Sequence, residues 1–503
     1  MSDCKSNSDD NKKSIQQNKP ESYLGSKGYS ILKSSITVEK QQMIRERLTV
    51  KPYVPKAPVQ PESFEVYRES KKKLYIPRFI GIELFGMPNR EKISKGIDIS
   101  LKFAGKLRDY QQKVVDIYLK QAKTQYGGLL EIPCGRGKTV IGLNIISRLK
   151  KKTLVIVHKG FLVDQWVERI EQFLPDARVG RIQGQIIDVD DKDIVIGMLQ
   201  SLSMKEYPDD MFSSFGLTIV DETHHIAAEV FVRSLFKVVT FNVLGLSATM
   251  QRKDGLTKVF KMFLGDIIYK EKRTQDDDVL VKAIHYSTDD EEFNEIKYDY
   301  RGNPQYSTMI VKLCNFSFRS EFILKVLEKT LEDKRNKQIM ILAHNKSLLT
   351  YLFKAIEHRN IATVGYYIGG MKAADLKETE SKKIIVATYA MAAEALDIKT
   401  LTTLILATPK TDVTQAVGRI LRVKHEQPLV IDIVDSHDVF VKQWKKRRQF
   451  YIKNKYKITE TNNNNFHKDV WDVTYEKGDK GKKMMEKIKK KENPLVGQCL
   501  IEM

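Results

Sequence analysis

Glu131-Ile132-Pro133-Cys134-Gly135-Arg136-Gly137-Lys138-Thr139 is the stretch on which the fold turns. The apolar run Leu129–Ile132 predicts a buried strand, and the amphipathic stretch Lys138–Leu149 predicts a helix. A strand, a tight glycine turn and a helix in that order make a phosphate cradle, because the helix start offers free backbone N–H groups. Gly135 and Gly137 let the backbone approach phosphate oxygens that a Cβ would hold off. Lys138 supplies a point charge for β- and γ-phosphates, and Thr139 a hydroxyl for Mg2+. Pro133, Cys134 and Arg136 complete the loop. The match to G-x-x-x-x-G-K-S/T is incomplete, since Ile132 stands where the first glycine belongs.

Outward from this loop the chain alternates. Between about 107 and 265, strands are expected at Leu129–Ile132, Thr153–Val157, Asp193–Met198, Leu217–Val220 and Val243–Ser247, with a helix over Leu162–Leu174. A second block has candidates at Gln338–Ala343, Ile361–Tyr367, Lys383–Thr388, Thr402–Ala407 and Leu429–Val434. Strands alternating with helices imply βαβ units and parallel sheets. The expected fold is therefore α/β, with two tandem domains of one type at 107–265 and 336–441. Residues 266–335, with acidic clusters at Asp276–Asp278 and Asp289–Glu292, are expected to link them. Residues 23–106 form an N-terminal accessory region. It holds a short amphipathic stretch, Ile36–Leu48, and the aromatic run Lys73–Phe79. Residues 1–22 are polar and expected to be disordered. Residues 442–503 read as a basic tail, with clusters at Trp444–Arg448 and Lys482–Lys491 that suit nucleic acid, nuclear import or a solvated helical face equally well.

At 503 residues the chain exceeds one core, so two or three domains are expected. The 85 Lys and Arg outweigh the 64 Asp and Glu to give +21, which points to a polyanionic partner, nucleic acid first. A lysine-rich proteome would give the same surplus, and charge alone leaves the two even. Cys4, Cys134, Cys314 and Cys499 are scattered without metal-ligand spacing, which argues against a disulfide framework or zinc site and for a reducing compartment. The polar N-terminus shows no secretory pattern, and no apolar run is long enough for a bilayer. A soluble, intracellular protein with no membrane partner is expected.

Asp221-Glu222-Thr223-His224 follows the strand candidate Leu217–Val220. A carboxylate at the C-terminal edge of a parallel sheet is where a Mg2+ ligand belongs, which makes Asp221 the candidate metal partner beside Thr139. Glu222 is the candidate base for an attacking water, and His224 can couple the nucleotide to the other domain. In the second block, Gln415, Arg419 and Arg422 fall at i, i+4 and i+7, one face of a helix. Two guanidiniums on one stripe make a poor core face and a good γ-phosphate sensor.

Taken together these stretches resemble the superfamily 2 helicases and translocases of the DExH kind, over about residues 105–436 and in that family's order. Leu107–Gln111 resembles the adenine-reading motif, with Arg108 and Gln111 as its base-side residues. Ile132–Thr139 resembles the Walker A loop in the form this superfamily uses, which accounts for the missing glycine. Leu154–His158 with Gln165-Trp166 resembles motif Ia. Asp221–His224 resembles motif II, Ser247–Thr249 motif III, Lys383–Asp397 motif V and Gln415–Arg422 motif VI. The resemblance implies two RecA-like P-loop NTPase domains that use ATP and Mg2+, with Asp397 on the nucleotide side. It also implies strand contacts from Gln165, Gln200, Ser201, Thr249 and Thr388. Three departures stand out: His158-Lys159 replaces Pro-Thr/Ser in motif Ia, Met198 replaces a strand-contacting Thr, and Ala395 replaces the motif V glycine.

The run Gly245–Gly255 is similar to repair-type DNA translocases, including the TFIIH translocase subunit and the poxvirus transcript-release helicase. The whole chain is similar to helicases of nucleocytoplasmic large DNA viruses of the giant, mimivirus-like kind. This resemblance implies a monomeric 3′→5′ motor on DNA, acting in viral transcription or repair. Its setting would be the host cytoplasm, viral factory or virion, with transcription machinery as a further partner. An RNA helicase and a catalytically silent nucleic-acid-binding scaffold stand as alternatives.

Overall fold

Segments that are apolar on both faces can only be satisfied inside a covered sheet, and five such runs of the first block supply its centre. The structure, a computed structural model, describes residues 19–53, 60–133, 135–222, 228–250, 255–271, 278–333, 335, 337–394, 398–421, 423 and 425–477. The chain divides into two compact units, the first running to Glu271 and the second starting at Lys272.

The sheet of the first unit has eight strands in the order Ile186–Ile187, Val179–Gln183, Ile194–Met198, Thr153–Val157, Leu217–Asp221, Asn242–Ser247, Gly127–Glu131 and Ile267–Lys270. All neighbours are parallel except the outermost pair, Ile186–Ile187 on Val179–Gln183. The helix Lys138–Leu149 and the strand Thr153–Val157 fall on the residues read from sequence. Helices Asp109–Thr124, Lys138–Leu149 and Gly160–Phe173 bury Val114, Tyr118, Ile141, Ile145, Trp166 and Ile170 against one face.

The second unit repeats the plan. Its order is Val364–Tyr367, Ile384–Thr388, Ile339–Ala343, Thr403–Leu406, Leu429–Asp435, Leu280–Tyr286, Lys457–Asn462 and Asp472–Tyr475, parallel up to the last antiparallel strand. Two expectations change here. The stretch 266–335 is no simple link: Ile267–Lys270 extends the first sheet, and Leu280–Tyr286 is inserted between two strands of the second. Nor is everything after 442 a tail. The helix Asp438–Lys453 buries Phe440, Trp444, Arg447 and Tyr451, a stripe at helical spacing with an arginine in it, which hides its periodicity. The strands Lys457–Asn462 and Asp472–Tyr475 follow it into the sheet.

The accessory region folds as a five-stranded sheet, ordered Arg68–Glu69, Lys73–Ile76, Gly28–Leu32, Ser22–Gly25 and Arg90–Glu91. Tyr29, Ile31, Leu74 and Ile76 share a core with Ile44 and Leu48 of the helix Val38–Leu48 and with Phe231, Phe260 and Phe263 of the first α/β block. Arg78 is buried and donates to the carbonyls of Thr240 and Phe241 at 2.5 and 2.6 Å, tying the two layers together. The disorder expected for residues 1–22 falls mostly outside the described residues, and the first strand starts at Ser22. Among the described residues no helix is long and apolar enough to cross a membrane.

Candidate active site

The loop after Gly127–Glu131 needs its glycines. Gly135 and Gly137 have φ of +79° and +74°, the left-handed region that a Cβ disfavours. Ile132 is fully buried, and its N–H donates to the Ser247 carbonyl at 2.9 Å. That position continues the sheet, so it has no use for a glycine. Gln111 packs against the loop: a Cβ placed on Gly137 would lie 2.5 Å from Gln111 Nε2. The Gln111 Oε1 accepts the Arg108 backbone N–H at 3.0 Å, capping the helix Asp109–Thr124. Arg108 itself is exposed, and Pro133 and Arg136 are half-buried.

Asp221 is the last residue of its strand and is 5% exposed. Its Oδ2 accepts the Trp166 indole N–H at 2.9 Å, and its Oδ1 accepts the Glu222 backbone N–H at 3.0 Å. Burial and then the neighbouring Glu222 charge push its carboxyl up to about 6, against the pull of Lys138 and the two N–H donors. Glu222 is held at φ +48°, a left-handed conformation that costs a non-glycine residue about 1–3 kcal/mol. That turn aims the side chain at the loop, where Glu222 Oε1 sits 2.5 Å from Lys138 Nζ. The strand end, the loop lysine and the glutamate thus form one charged cluster, mostly shielded from solvent. Nearby, Ser247 Oγ donates to the Thr249 carbonyl at 2.7 Å, closing the turn after its strand.

The cluster suits a divalent cation bound with phosphates. Burial and the Glu222 charge raise the proton affinity of Asp221, a cost that a cation relieves, and Thr139 lies on the first turn of the helix that follows the loop.

In the second unit, Gln415 and Arg419 lie one turn apart on the helix Thr414–Arg419, with Arg419 buried. The helix is described to Arg419. Arg422, Asp397, His224 and Cys134 lie outside the described residues. Thr388 is half-buried at the end of its strand. Of the expected strand contacts in the first unit, Gln165 and Thr249 are half-buried and Gln200 is exposed. Ser201 Oγ accepts the Gly184 N–H at 3.0 Å. Trp166, named in the sequence only as part of the motif Ia resemblance, is a neighbour of Asp221 whose contact sequence reading missed. It reads as one more apolar residue on the core face of its helix, and nothing in the sequence shows its N–H reaching Asp221.

The profile of the type III restriction enzyme res subunit matches residues 104–252. A protein of Acanthamoeba polyphaga mimivirus named "Putative ATP-dependent RNA helicase" is 36% identical over 445 residues, covering 86% of this chain and 85% of its own length. An African swine fever virus protein of the same name is 27% identical over 381 residues, covering 70% and 74%. The DNA 3'-5' translocase XPB2 of Sulfurisphaera tokodaii is 25% identical over 387 residues, covering 68% and 84%. With the phosphate loop, buried Asp221 beside Glu222 and a relative this similar along most of both chains, the chain belongs to the superfamily 2 helicases and translocases, the nucleic-acid-dependent ATPases.

Proposed function

We propose that this chain is a DNA-stimulated motor of a large DNA virus that uses ATP with Mg2+ and serves transcript release or repair. The observation that carries the reading is the Lys138–Glu222 ion pair beside buried Asp221. Lys138 exchanges Glu222 for the β- and γ-phosphates when nucleotide enters the loop. Glu222, released, orients the attacking water and takes its proton. Thr139 and Asp221 would hold Mg2+, which when bound would supply charge neutralisation at the phosphates. From the second unit, Gln415, Arg419 and Arg422 stabilise charge developing at the γ-phosphate, and Asp397 serves the nucleotide side. Arg108 and Gln111 face the base, and His224 relays the nucleotide's state. Gln165, Gln200, Ser201, Thr249 and Thr388 hold the strand by its phosphates, so sequence preference is weak and salt dependence steep.

The names of the viral relatives favour RNA as the polymer, while that of the Sulfurisphaera protein favours DNA. ATPase rates with no polymer, single-stranded DNA, duplex DNA and RNA decide, beside the Glu222→Gln control. Stimulation by DNA supports the proposal. Stimulation by RNA alone replaces it with transcript remodelling, and a flat response in all four leaves a binding scaffold.

A further inference from the structure

The accessory sheet lines up one residue from each strand across a single face. Arg90 pairs with Tyr23, Tyr23 with Ser30, Ser30 with Tyr75 and Tyr75 with Arg68. Residues opposite one another share a face, and their sequence neighbours Leu24, Tyr29, Ile31, Leu74 and Ile76 point the other way, into the interior. Tyr23 and Tyr75 are half-buried, with Ser30 covered between them. Two strand spacings, about 10 Å, separate the two tyrosines.

Cations rim this pair. Lys73 Nζ donates to the Tyr23 hydroxyl at 3.1 Å and lies 5.0 Å from its ring centre, and Lys92 Nζ lies 4.8 Å from the same ring. Lys27 Nζ lies 6.0 Å from the Tyr75 ring. Among the described residues none of Lys27, Lys73, Lys92 and Arg90 is paired with a carboxylate. Glu91, the acid of the edge strand, belongs to the opposite row, beside Leu24. Arg68, at the far end, lies over Phe236 at 5.0 Å and joins the sheet to the first α/β block.

Flat rings flanked by cations without acids suit a ligand with flat faces joined by anionic links. We propose that this face binds a single DNA strand, with bases stacking on Tyr23 and Tyr75 and phosphates held by Lys27, Lys73, Lys92 and Arg90. A duplex keeps its base faces covered and cannot use the tyrosines. The grip is distinct from the phosphate loop and does not need nucleotide.

The test is fluorescence anisotropy of the full chain with labelled oligo(dT) of about 16 nucleotides, in the absence of ATP. Tyr23→Ala with Tyr75→Ala should weaken binding roughly tenfold or more, while Tyr23→Phe with Tyr75→Phe keeps it, and basal ATPase is unchanged by either. Lys27→Ala with Lys92→Ala should lower the slope of log affinity against log salt by about 1.4. The exposed lysine pair carries the test if the alanine pair lowers the melting temperature. Unchanged oligo(dT) binding by the alanine and lysine pairs overturns the proposal. An equal loss on blunt duplex, or a loss on oligo(U) alone, also overturns it. DNA stimulation of ATPase in the same wild-type samples reports on the motor reading separately: its failure leaves the binding comparison intact.

Discussion

Asp221 in the first unit holds its carboxylate with one indole N–H and one backbone N–H, whereas Asp432 and Asp435 in the second each grip a guanidinium. Arg447 donates to Asp432 at 2.7 and 2.8 Å, with the Tyr451 hydroxyl at 3.0 Å. Arg319 donates to Asp435 at 2.5 and 2.9 Å and to the Ala407 carbonyl at 2.8 Å. All four of these charged side chains are 1% exposed or less. All three aspartates lie on strands of similar parallel sheets, yet their environments differ in kind. A fully neutralised pair has no charge left to offer a ligand and serves the fold. An acid whose proton affinity is raised by burial and by its neighbour is held ready for an incoming cation. Buried carboxylates therefore divide by how completely they are satisfied, not by where they sit in the sheet.

Substitutions in the two regions should separate on different axes. The largest effect belongs to Glu222→Gln, which should lower ATP turnover by roughly 10²–10⁴-fold while nucleic-acid binding, read by anisotropy, stays close to wild type. Survival of turnover would remove Glu222 from the chemistry and erase the contrast. Arg447→Leu should act on the other axis, costing about 3–5 kcal/mol in urea unfolding because Asp432 is left buried and uncompensated. A loss of less than 1 kcal/mol would mean that water reaches that pair.

Trp166→Phe keeps most of the ring and removes the N–H on Asp221. The lost charge-assisted bond, about 1.5–3 kcal/mol, should appear in ATPase rate and in Mg2+ dependence of nucleotide binding. A change in melting temperature alone would make Trp166 a packing residue only.

The smallest effect concerns acid. Burial by itself would raise the Glu460 carboxyl, but bonds from His285, Thr474 and Arg448 outweigh it and hold it down at about 2. A depressed carboxylate contributes stability that is complete above its unfolded value, near 4.5, and is lost as pH falls toward 2. Discounted for solvent screening, the contribution is about 1 kcal/mol. Urea midpoints at pH 5 and pH 3 should therefore differ less for Glu460→Gln than for wild type, and equal shifts would reject the pairing.

The loop, the helix Lys138–Leu149 and the ten core strands were legible because their signals are local. Periodicity, glycine punctuation and an acid after an apolar run each occupy a dozen residues or fewer. The two-sheet α/β plan and the candidates Lys138, Thr139, Asp221 and Glu222 follow from them, whereas Arg108, Gln111 and the strand-contact candidates of the first unit come only from the family resemblance.

Contacts between distant segments decided the rest. The insertion of Leu280–Tyr286 between Leu429–Asp435 and Lys457–Asn462 joins residues over 140 positions apart, and no local pattern announces it. Arg447 looks like part of a solvated basic run until Asp432 is placed beside it. The Trp166 bond to Asp221 spans 55 residues. The left-handed turn at Glu222 is a strain that only the surrounding packing can hold in place. Sequence by itself determined the ten core strands, the helix Lys138–Leu149 and the glycine turn between strand and helix, and it offered candidate groups to meet a phosphate. The tertiary structure decided which buried charges are neutralised and which are kept available, because a charge's worth is set by neighbours that the chain order does not reveal.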